Sequence, residues 1–238
     1  SVQTQPANTT AGQAIQGPPE ALVADTYGNP VSGVNVTVSE SGGYTFDAGT
    51  LTVATGADGI ASFTNLVINT AGNYTLVFDA SGVSGDATSN SFDITASQLG
   101  IQTQPVGGAS GELLDTQPVI LIQDAQGNTV TTDSTTEVTV AIQSGAGGSL
   151  GGTTTVTAAS GVATFTDLTL AGTVGEDYLL RFTATGLTEV DSNIVNVTAG
   201  AADQLGIDTQ PVGGASGELL DTQPVILIQD AQGNTVTT

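Results

Sequence analysis

Residues 24–38 read ADTYGNPVSGVNVTV, a turn sequence followed by a strict alternation of apolar and polar residues. Val34, Val36 and Val38 alternate with polar side chains, and this period of two places one face of a strand on a core and the other in water. The Gly28-Asn29 pair before them is a turn-forming dipeptide. The stretch therefore predicts a turn followed by a half-buried β-strand. No window of the sequence has convincing helical periodicity with caps.

The chain also repeats itself over a long distance. Residues 98–132 read QLGIQTQPVGGASGELLDTQPVILIQDAQGNTVTT, and residues 204–238 read the same except that Asp208 replaces Gln102. The offset is 106 residues (204 − 98), and a fixed long period is the signature of a tandem array. We expect one domain over 1–97, a second over 98–203, and the N-terminal third of a further repeat over 204–238. The sequence then reads as part of a longer array.

Each predicted copy has the pattern of a β-sandwich. Alternating runs and turn formers such as Ala57-Asp58-Gly59 and Ser160-Gly161 divide a copy into about seven strands, as in an Ig-like sandwich. The run Val119–Ile122 is apolar throughout, which predicts a strand buried on both faces. The predicted fold class is all-β, with tandem Ig-like β-sandwich domains and a truncated third copy. The short linkers at Ala96-Ser97 and 199–203 predict limited bending between domains.

Composition excludes several classes of function. One Arg and no Lys face 23 acidic residues, so the net charge is −22 and binding to nucleic acid or anionic lipid is excluded. The absence of Cys, His and Met excludes disulfide, thiolate and imidazole chemistry. No stretch approaches the roughly 20 apolar residues of a membrane span. Such an acidic surface attracts cations. We therefore interpret the charge as suited to a saline or calcium-containing exterior. The alternative is that the acidic surface indicates no special habitat.

Three motifs resemble a known family. The run Ala24–Val38, the G-x-A-x-F-x-x-L motifs at 59–66 and 161–168, and the A-G-N-Y-T-L run at 71–76 are similar to the bacterial Ig-like repeats of invasin/intimin-type surface adhesins. The resemblance implies an extracellular, cell-surface location and a part in cell adhesion. Such domains occur in adhesin stalks and in secreted enzymes, so the fold does not name the function. Receptor-binding members use a terminal lectin-like module, which nothing in this sequence matches.

An Asp-x-x-Gly-Asn turn recurs at Asp25, Asp124 and Asp230. Its carboxylate and carbonyl oxygens are possible calcium ligands. The alternative is that the Asp and Asn side chains hydrogen-bond to local backbone and permit the turn geometry. One carboxylate per turn is too few for a tight site, so we favour the second interpretation and predict no cofactor. A looser calcium site using Asp203 or Glu20 stays open.

Tyrosine and arginine positions have simple structural interpretations. Tyr74 and Tyr178 each precede an alternating strand, which predicts a ring in the core and a hydroxyl that holds a loop, as in a tyrosine corner. Stacking of an exposed ring on sugar is the alternative. Arg181, the one cation, is predicted to lie on a strand surface and to pair with a cross-strand acid, for at most about 1 kcal/mol.

Candidate sites for modification and catalysis are few. Four N-x-Ser/Thr sequons at Asn8, Asn35, Asn73 and Asn196 are possible glycosylation sites, and Asn35 is expected to face solvent. The acidic pair Glu176-Asp177 falls in an apparent turn and has no counterpart in the first copy. General acid–base catalysis needs a pair of carboxylates held in a pocket. We therefore predict no catalytic, cofactor-binding or metal-binding residues.

These observations favour a structural function. We expect a non-catalytic segment of an extracellular surface protein, a stalk or fibre, whose partners are further copies of the same repeat in the same or neighbouring chains. One alternative is a self-assembling extracellular filament joined by strand complementation. Another is an adhesin module that binds a surface glycan or a host protein. For that alternative, the Gly-rich residues 133–153 are where a ligand-binding loop is expected.

Overall fold

The computed structural model describes residues 1–237, so Thr238 lies outside the described residues. Within them every regular element is a β-strand, which confirms the all-β prediction. No helix suited to crossing a membrane is found in that part of the chain. Two compact units are present. Unit one contains Ser1–Gln98 and Ile122–Val130, and unit two contains Leu99–Leu121 and Thr131–Thr238.

Ten short strands lie within residues 1–97: β1 (Val2–Thr4), β2 (Thr9–Thr10), β3 (Glu20–Leu22), β4 (Asn35–Glu40), β5 (Thr52–Ala54), β6 (Ile60–Ser62), β7 (Gly72–Tyr74), β8 (Leu76–Ala80), β9 (Ala87–Thr88) and β10 (Phe92–Thr95). They form three sheets in the orders β1-β3-β6, β5-β4-β8-β9 and β2-β10-β7. The pairing of β2 with β10 is parallel, so the start and the end of this segment lie side by side.

The ten strands outnumber the seven that the sequence predicts, because three pairs of strands that are close in sequence are divided between sheets. These pairs are β1/β2, β7/β8 and β9/β10, and the two members of each lie in different sheets. Between β9 and β10, the Ser89 hydroxyl oxygen accepts a hydrogen bond from the Leu76 N–H at 2.9 Å. Ser192 does the same for the Leu180 N–H at 3.0 Å in unit two. A serine oxygen thus satisfies a backbone donor where the strand ladder is broken.

One hydrophobic core joins the sheets of unit one. It draws Ala21 from β3, Val36 and Val38 from β4, Phe78 from β8 and Ile94 from β10. The valines are 1% and 2% exposed and the residues between them are exposed, so the alternation of residues 34–38 does set the face of the strand. Each large side chain buried in this way contributes about 1.5–3 kcal/mol. The result is the predicted Ig-like β-sandwich.

Unit two is built from similar strands: β11 (Gln98–Thr103), β12 (Val119–Gln123), β13 (Glu137–Ser144), β14 (Ser149–Gly151), β15 (Thr155–Thr157), β16 (Val162–Thr164), β17 (Thr169–Ala171), β18 (Tyr178–Thr183), β19 (Val190–Val195), β20 (Gln204–Thr209) and β21 (Val225–Gln229). Gln98 and the end of β12 belong to unit one by their contacts. The sheet orders are β11-β12-β16, β15-β13-β18-β19, β14-β17 and β20-β21.

Strand β12 departs from the prediction of burial on both faces. Ile120 and Ile122 are fully buried, whereas Val119 and Leu121 on the other face are only half-buried. The physical reason is that a single apolar core covers one face of this sheet. The second face is covered only in part, so its residues keep some contact with water.

The last segment of unit two is less enclosed. Strands β20 and β21 form an antiparallel pair of their own. Several large apolar side chains on them are exposed: Leu205, Ile207, Ile226 and Ile228. Two strands alone do not bury a core. In the turn that follows them Asp230 and Asn234 are nevertheless buried, and this turn forms part of the site described next.

Candidate functional site

The Asp-x-x-Gly-Asn turn has one internal geometry in all three places. In the first, Asp25 Oδ1 accepts hydrogen bonds from the N–H groups of Tyr27 at 2.8 Å and Asn29 at 2.9 Å. Asp25 Oδ2 accepts from Asn29 Nδ2 at 2.9 Å. The glycine has a positive φ of 87°, a left-handed conformation that glycine adopts without strain. The turns at Asp124 and Asp230 repeat these bonds with distances of 2.8–3.1 Å.

The surroundings of the three turns differ. Asp25 is exposed, whereas Asp124 and Asp230 are each 1% exposed. Burying a carboxylate is costly unless hydrogen bonds compensate it. The two buried aspartates must therefore have further donors, and each finds them within the unit to which its turn belongs. We call these two sets of partner groups the first seat and the second seat.

The first seat, in unit one, consists of Asp47 and residues 69–71. The Ala71 N–H donates to Asp124 Oδ2 at 3.3 Å, and the Ala125 N–H donates to the Asn69 carbonyl at 3.2 Å. The side chain of Gln126 takes part through both ends. Its Nε2 donates to Asp47 Oδ1 at 3.2 Å, and its Oε1 accepts from the Thr70 hydroxyl at 3.3 Å.

The second seat, in unit two, consists of Ser110, residues 172–174 and Gly200. The Gly200 N–H donates to Asp230 Oδ2 at 2.8 Å. Asn234 Oδ1 accepts from the Val174 N–H, and its Nδ2 donates to the Gly172 carbonyl, both at 2.8 Å. The Ser110 hydroxyl donates a hydrogen bond to Gln232 Oε1 at 3.0 Å. This seat therefore holds its turn through shorter bonds.

Both seats use the loop that comes before a buried tyrosine. Residues 69–71 precede Tyr74, and residues 172–174 precede Tyr178. Residues 123–132 and 229–238 have the same sequence, so the difference between the seats comes from the seats themselves. The difference between the two seats is clearest at the asparagine of the turn. Asn234 is 6% exposed in the second seat, whereas Asn128 is exposed in the first.

Replacing Asn234 by alanine is expected to lower the free energy of unfolding of unit two by roughly 1–3 kcal/mol. The change leaves the Val174 N–H without its acceptor and Asp230 without one donor. Asn128→Ala is the matched control, since within residues 1–237 Asn128 forms hydrogen bonds only inside its own turn. A loss below about 1 kcal/mol is expected for it. Urea unfolding of both variants measures the difference. Equal losses would contradict the assigned second seat.

The hydrogen bonds at Asp230 also set its acidity. Burial alone raises the pKa of this carboxyl, but the bonds from the Asn234 side chain and from the N–H groups of Gly200, Asn234 and Gln232 outweigh it. The pKa therefore lies below the ordinary value. A carboxyl with a lowered folded-state pKa stabilises the fold above its unfolded pKa and ceases to do so as pH falls through the folded value.

The difference in free energy of unfolding between the wild type and Asp230→Asn is accordingly expected to be largest near pH 7. It should shrink as pH falls below about 4, where the unfolded carboxyl becomes protonated. Urea unfolding at a series of pH values measures it. Asp208→Gln, which restores the residue of the other copy at an exposed position, controls for the general loss of negative charge. A pH-independent difference would show that the ionised carboxylate has no such role.

The hydrogen bonds bear on the two interpretations of the turn. The oxygens of all three Asp side chains accept from backbone and Asn donors within the turn, which is the local arrangement that the sequence favoured. Elsewhere, Glu20 Oε2 accepts from the Thr4 hydroxyl at 2.6 Å, and the Asp203 N–H donates to the Gln229 carbonyl. Residues 1–237 contain no group of three carboxylates arranged to hold a metal ion.

The tyrosines occupy the predicted positions. Tyr178 is fully buried. Its hydroxyl donates a hydrogen bond to the Ala146 carbonyl at 3.0 Å, and the same hydroxyl accepts one from the Thr173 N–H at 2.8 Å. Tyr74 is 9% exposed and donates to the Thr70 carbonyl at 3.0 Å. Each hydroxyl thus holds the loop that provides a seat. The alternative of an exposed ring stacking on sugar is wrong for both.

Arg181 is paired as predicted. It lies opposite Asp191 on the neighbouring strand β19, and its Nε and a terminal nitrogen donate to the two carboxylate oxygens at 2.7 and 2.8 Å. Glu189 adds a further ion pair. The Arg181 bonds hold the pKa of Asp191 below its ordinary value. Both side chains are about a third exposed, so water screens the pair and its contribution is small.

The four sequon asparagines are all exposed. Two of them already use the amide nitrogen that a glycan would occupy. Asn73 Nδ2 donates to Asp93, and Asn196 Nδ2 donates to Asp177 and to the Glu176 carbonyl. Asn8 instead accepts from the Asp93 N–H through Oδ1. Glycosylation at Asn8, Asn35, Asn73 or Asn196 remains a prediction.

The regions considered for catalysis or ligand binding have structural uses. Asp177 is engaged by Asn196 at 2.8 Å, so Glu176-Asp177 does not present two unpartnered carboxylates. Most of residues 133–153 belong to strands β13 and β14 and do not form one exposed loop. A cleft of about 200 Å³ in unit one is lined mainly by apolar residues, including Val36, Phe78 and Val83, and by no acidic side chain.

Sequence reasoning found the turns but missed the groups that receive them. Ser110, Gly172 and Gly200 have no chemical motif, because two of them act through backbone atoms alone. The sequence did contain one signal, which is the residue directly before the glycine of the turn. It is Gln in both seated turns and Tyr27 in the exposed one.

No family model matches the chain, and no curated protein matches it. Solved structures are similar at low identity. The C-terminal 282-residue fragment of intimin, solved with the intimin-binding domain of the translocated intimin receptor, has a TM-score of 0.45 and 15% identity over 89% of this chain and 67% of that one. The Escherichia coli adhesin FdeC has a TM-score of 0.39 and 19% identity over 98% of this chain and 74% of its own.

Invasin, a bacterial integrin-binding protein, has a TM-score of 0.37 and 18% identity over all of this chain and 47% of its own. The chain thus spans about half the length of that structure. These three structures are of the invasin/intimin type that the sequence resembles. At these identities the likeness concerns the fold alone.

Proposed function

We propose that this chain is a non-catalytic repeat segment of an extracellular surface protein, a stalk or fibre in which each Ig-like unit holds a docking turn in its own seat. The observation that carries the proposal is that the aspartate of one turn sequence is buried in two separate seats, at Asp124 and at Asp230. Both aspartates accept hydrogen bonds from their own turn and from a loop distant in sequence within the same unit. They do not surround a cleft where a substrate would bind.

Charge and composition support the same proposal. A net charge of −22 with a single cation keeps such a surface soluble through mutual repulsion and suits an exterior with dissolved cations. An array without cysteine must obtain its stability from packing and hydrogen bonds. The class of surface adhesins named by the sequence resemblance includes stalks of this kind. Further copies of the same repeat are the proposed partners.

Two measurements test the proposal on the full-length protein. Antibody raised against this chain should label intact cells without permeabilisation, and electron micrographs of the purified protein should show elongated particles. Labelling that requires permeabilisation would contradict the surface location. Compact globular particles would contradict the stalk or fibre. A regular polymer grown from separate chains would favour the filament joined by strand complementation.

A further inference from the structure

We propose that the exposed turn at residues 24–30 is a third docking turn, which occupies the seat of another copy of this Ig-like repeat. The seat it requires is the one found in unit two, made by a Ser110-type hydroxyl, the loop before the buried tyrosine and a Gly200-type N–H. The proposal assigns a binding surface to unit one and a partner of stated structure. It does not depend on where the protein is located.

The first argument is that the turn already has the seated conformation. Its three internal hydrogen bonds differ in length by at most about 0.2 Å from those at Asp124 and Asp230. The Gly28 φ of 87° is close to 84° at Gly127 and 82° at Gly233. No rearrangement is needed before docking, so the entropic cost of ordering the turn is already met.

The second argument is that the atoms used for docking are free in this turn. In the second seat, Asp230 Oδ2 accepts from both Asn234 Nδ2 and the Gly200 N–H. Among residues 1–237, Asp25 Oδ2 accepts from Asn29 Nδ2 alone, and Asp25 is exposed. A carboxylate oxygen can accept a second hydrogen bond. Asp25 Oδ2 therefore corresponds to Asp230 Oδ2, the atom to which the Gly200 N–H of the second seat donates.

The third argument comes from Tyr27. It replaces the glutamine that contacts the seat in the other two turns, and it is 90% exposed. Tyrosine combines a large apolar ring with a hydroxyl, which is why it is enriched where proteins associate. Its position in the sequence is the one from which Gln232 reaches the Ser110 hydroxyl. A tyrosine there is suited to cover the rim of a seat.

The fourth argument is the spacing of the chain. In all three copies the segment that begins each repeat precedes the turn aspartate by 23 residues (25 − 2, 124 − 101 and 230 − 207). A copy of residues 98–205 joined directly to Ser1 would place Asp25 30 residues after its Gly200, the same interval as from Gly200 to Asp230 (230 − 200). Such a fusion gives the second seat and the turn the same separation in sequence as in the native chain.

The test uses fluorescence, because the chain contains no tryptophan. Tyr27→Trp is prepared in the chain as it stands and in the chain with residues 98–205 added before Ser1. Fusion is expected to shift the emission to shorter wavelength and to lower the acrylamide quenching constant to the value of a seated turn, where this position stays partly exposed. Asp25→Ala with Asn29→Ala in the fused chain should restore the quenching seen without the fusion.

Controls keep each outcome interpretable. Gln232→Trp reports the quenching of a turn that is seated, and the thermal transition of the fused chain shows that the added copy is folded. Thr26→Cys, the sole cysteine in such a variant, carries a solvent-sensitive dye as an independent reporter. Unchanged quenching and unchanged dye emission in a folded fusion would overturn the proposal. Protection that survives the double alanine change would also overturn it, because the turn would not be the contact.

Discussion

Unit two is expected to lose about 3–5 kcal/mol of its free energy of unfolding when Tyr178 is replaced by alanine. The ring is fully buried beneath three glycines, Gly145, Gly148 and Gly172, whose missing side chains provide the space that it fills. A methyl group at any of them would overlap the tyrosine. Truncation leaves a cavity under a glycine-rich cover and removes the partner of the Thr173 N–H.

Urea unfolding monitored by far-ultraviolet circular dichroism measures this loss. Tyr178→Phe keeps the ring and removes only the hydroxyl, so an intermediate loss of about 1–3 kcal/mol is expected from the unpaired Thr173 N–H and Ala146 carbonyl. Tyr27→Ala is the exposed control and should change the value by no more than about 0.5 kcal/mol. An alanine variant as stable as the phenylalanine variant would show that the ring is not an essential part of the core.

Gly107→Ala is expected to destabilise unit two by roughly 2–3 kcal/mol, the range for a side chain forced into a packed site. An added Cβ would overlap the Asn196 carbonyl oxygen, and that obstacle is backbone, which cannot rotate away. The clash lies next to the parallel bridge between Ala109 and Thr198. Relief would require separating the two segments that this bridge joins.

The repeat itself provides the control for this substitution. Gly213 has the same sequence neighbours as Gly107, but a Cβ there meets nothing within 4 Å. Gly213→Ala should therefore leave the free energy of unfolding unchanged or raise it slightly, since alanine reduces the entropy of the unfolded chain. Thermal and urea unfolding of the two variants side by side measure the contrast. Equal destabilisation would mean that the glycines matter through backbone conformation and not through packing.

These predictions depend on features that were visible in the sequence to different degrees. The alternation at 34–38 and the repeated turn formers were enough to predict strands and an Ig-like sandwich, because side chains on a strand must alternate between core and water. The tyrosine hydroxyl and the Arg181 ion pair were predictable for the same local reason. The boundaries predicted at 97 and 203 stay predictions, as do the glycosylation sites and a calcium dependence.

The seats were not predictable, because their atoms are backbone N–H and carbonyl groups of loops distant in sequence. Gly200 and Asp230 are 30 residues apart, and Ala71 and Asp124 are 53 apart (124 − 71). Every residue type has these backbone groups, so no motif marks them. Strand β12 shows the same limit, since an apolar run does not tell how much of its second face is covered.

By itself the sequence determined the periodic structure of this protein: all-β strands, turns with a fixed geometry, and an acidic surface with one cation. Those properties follow from local sterics, from the alternation of side chains and from charge. The tertiary structure alone decided that one ten-residue sequence, present at 123–132 and 229–238, has an exposed asparagine in one place and a buried one in the other. The reason is that burial and hydrogen bonding depend on what packs against a turn, and identical turns meet different loops.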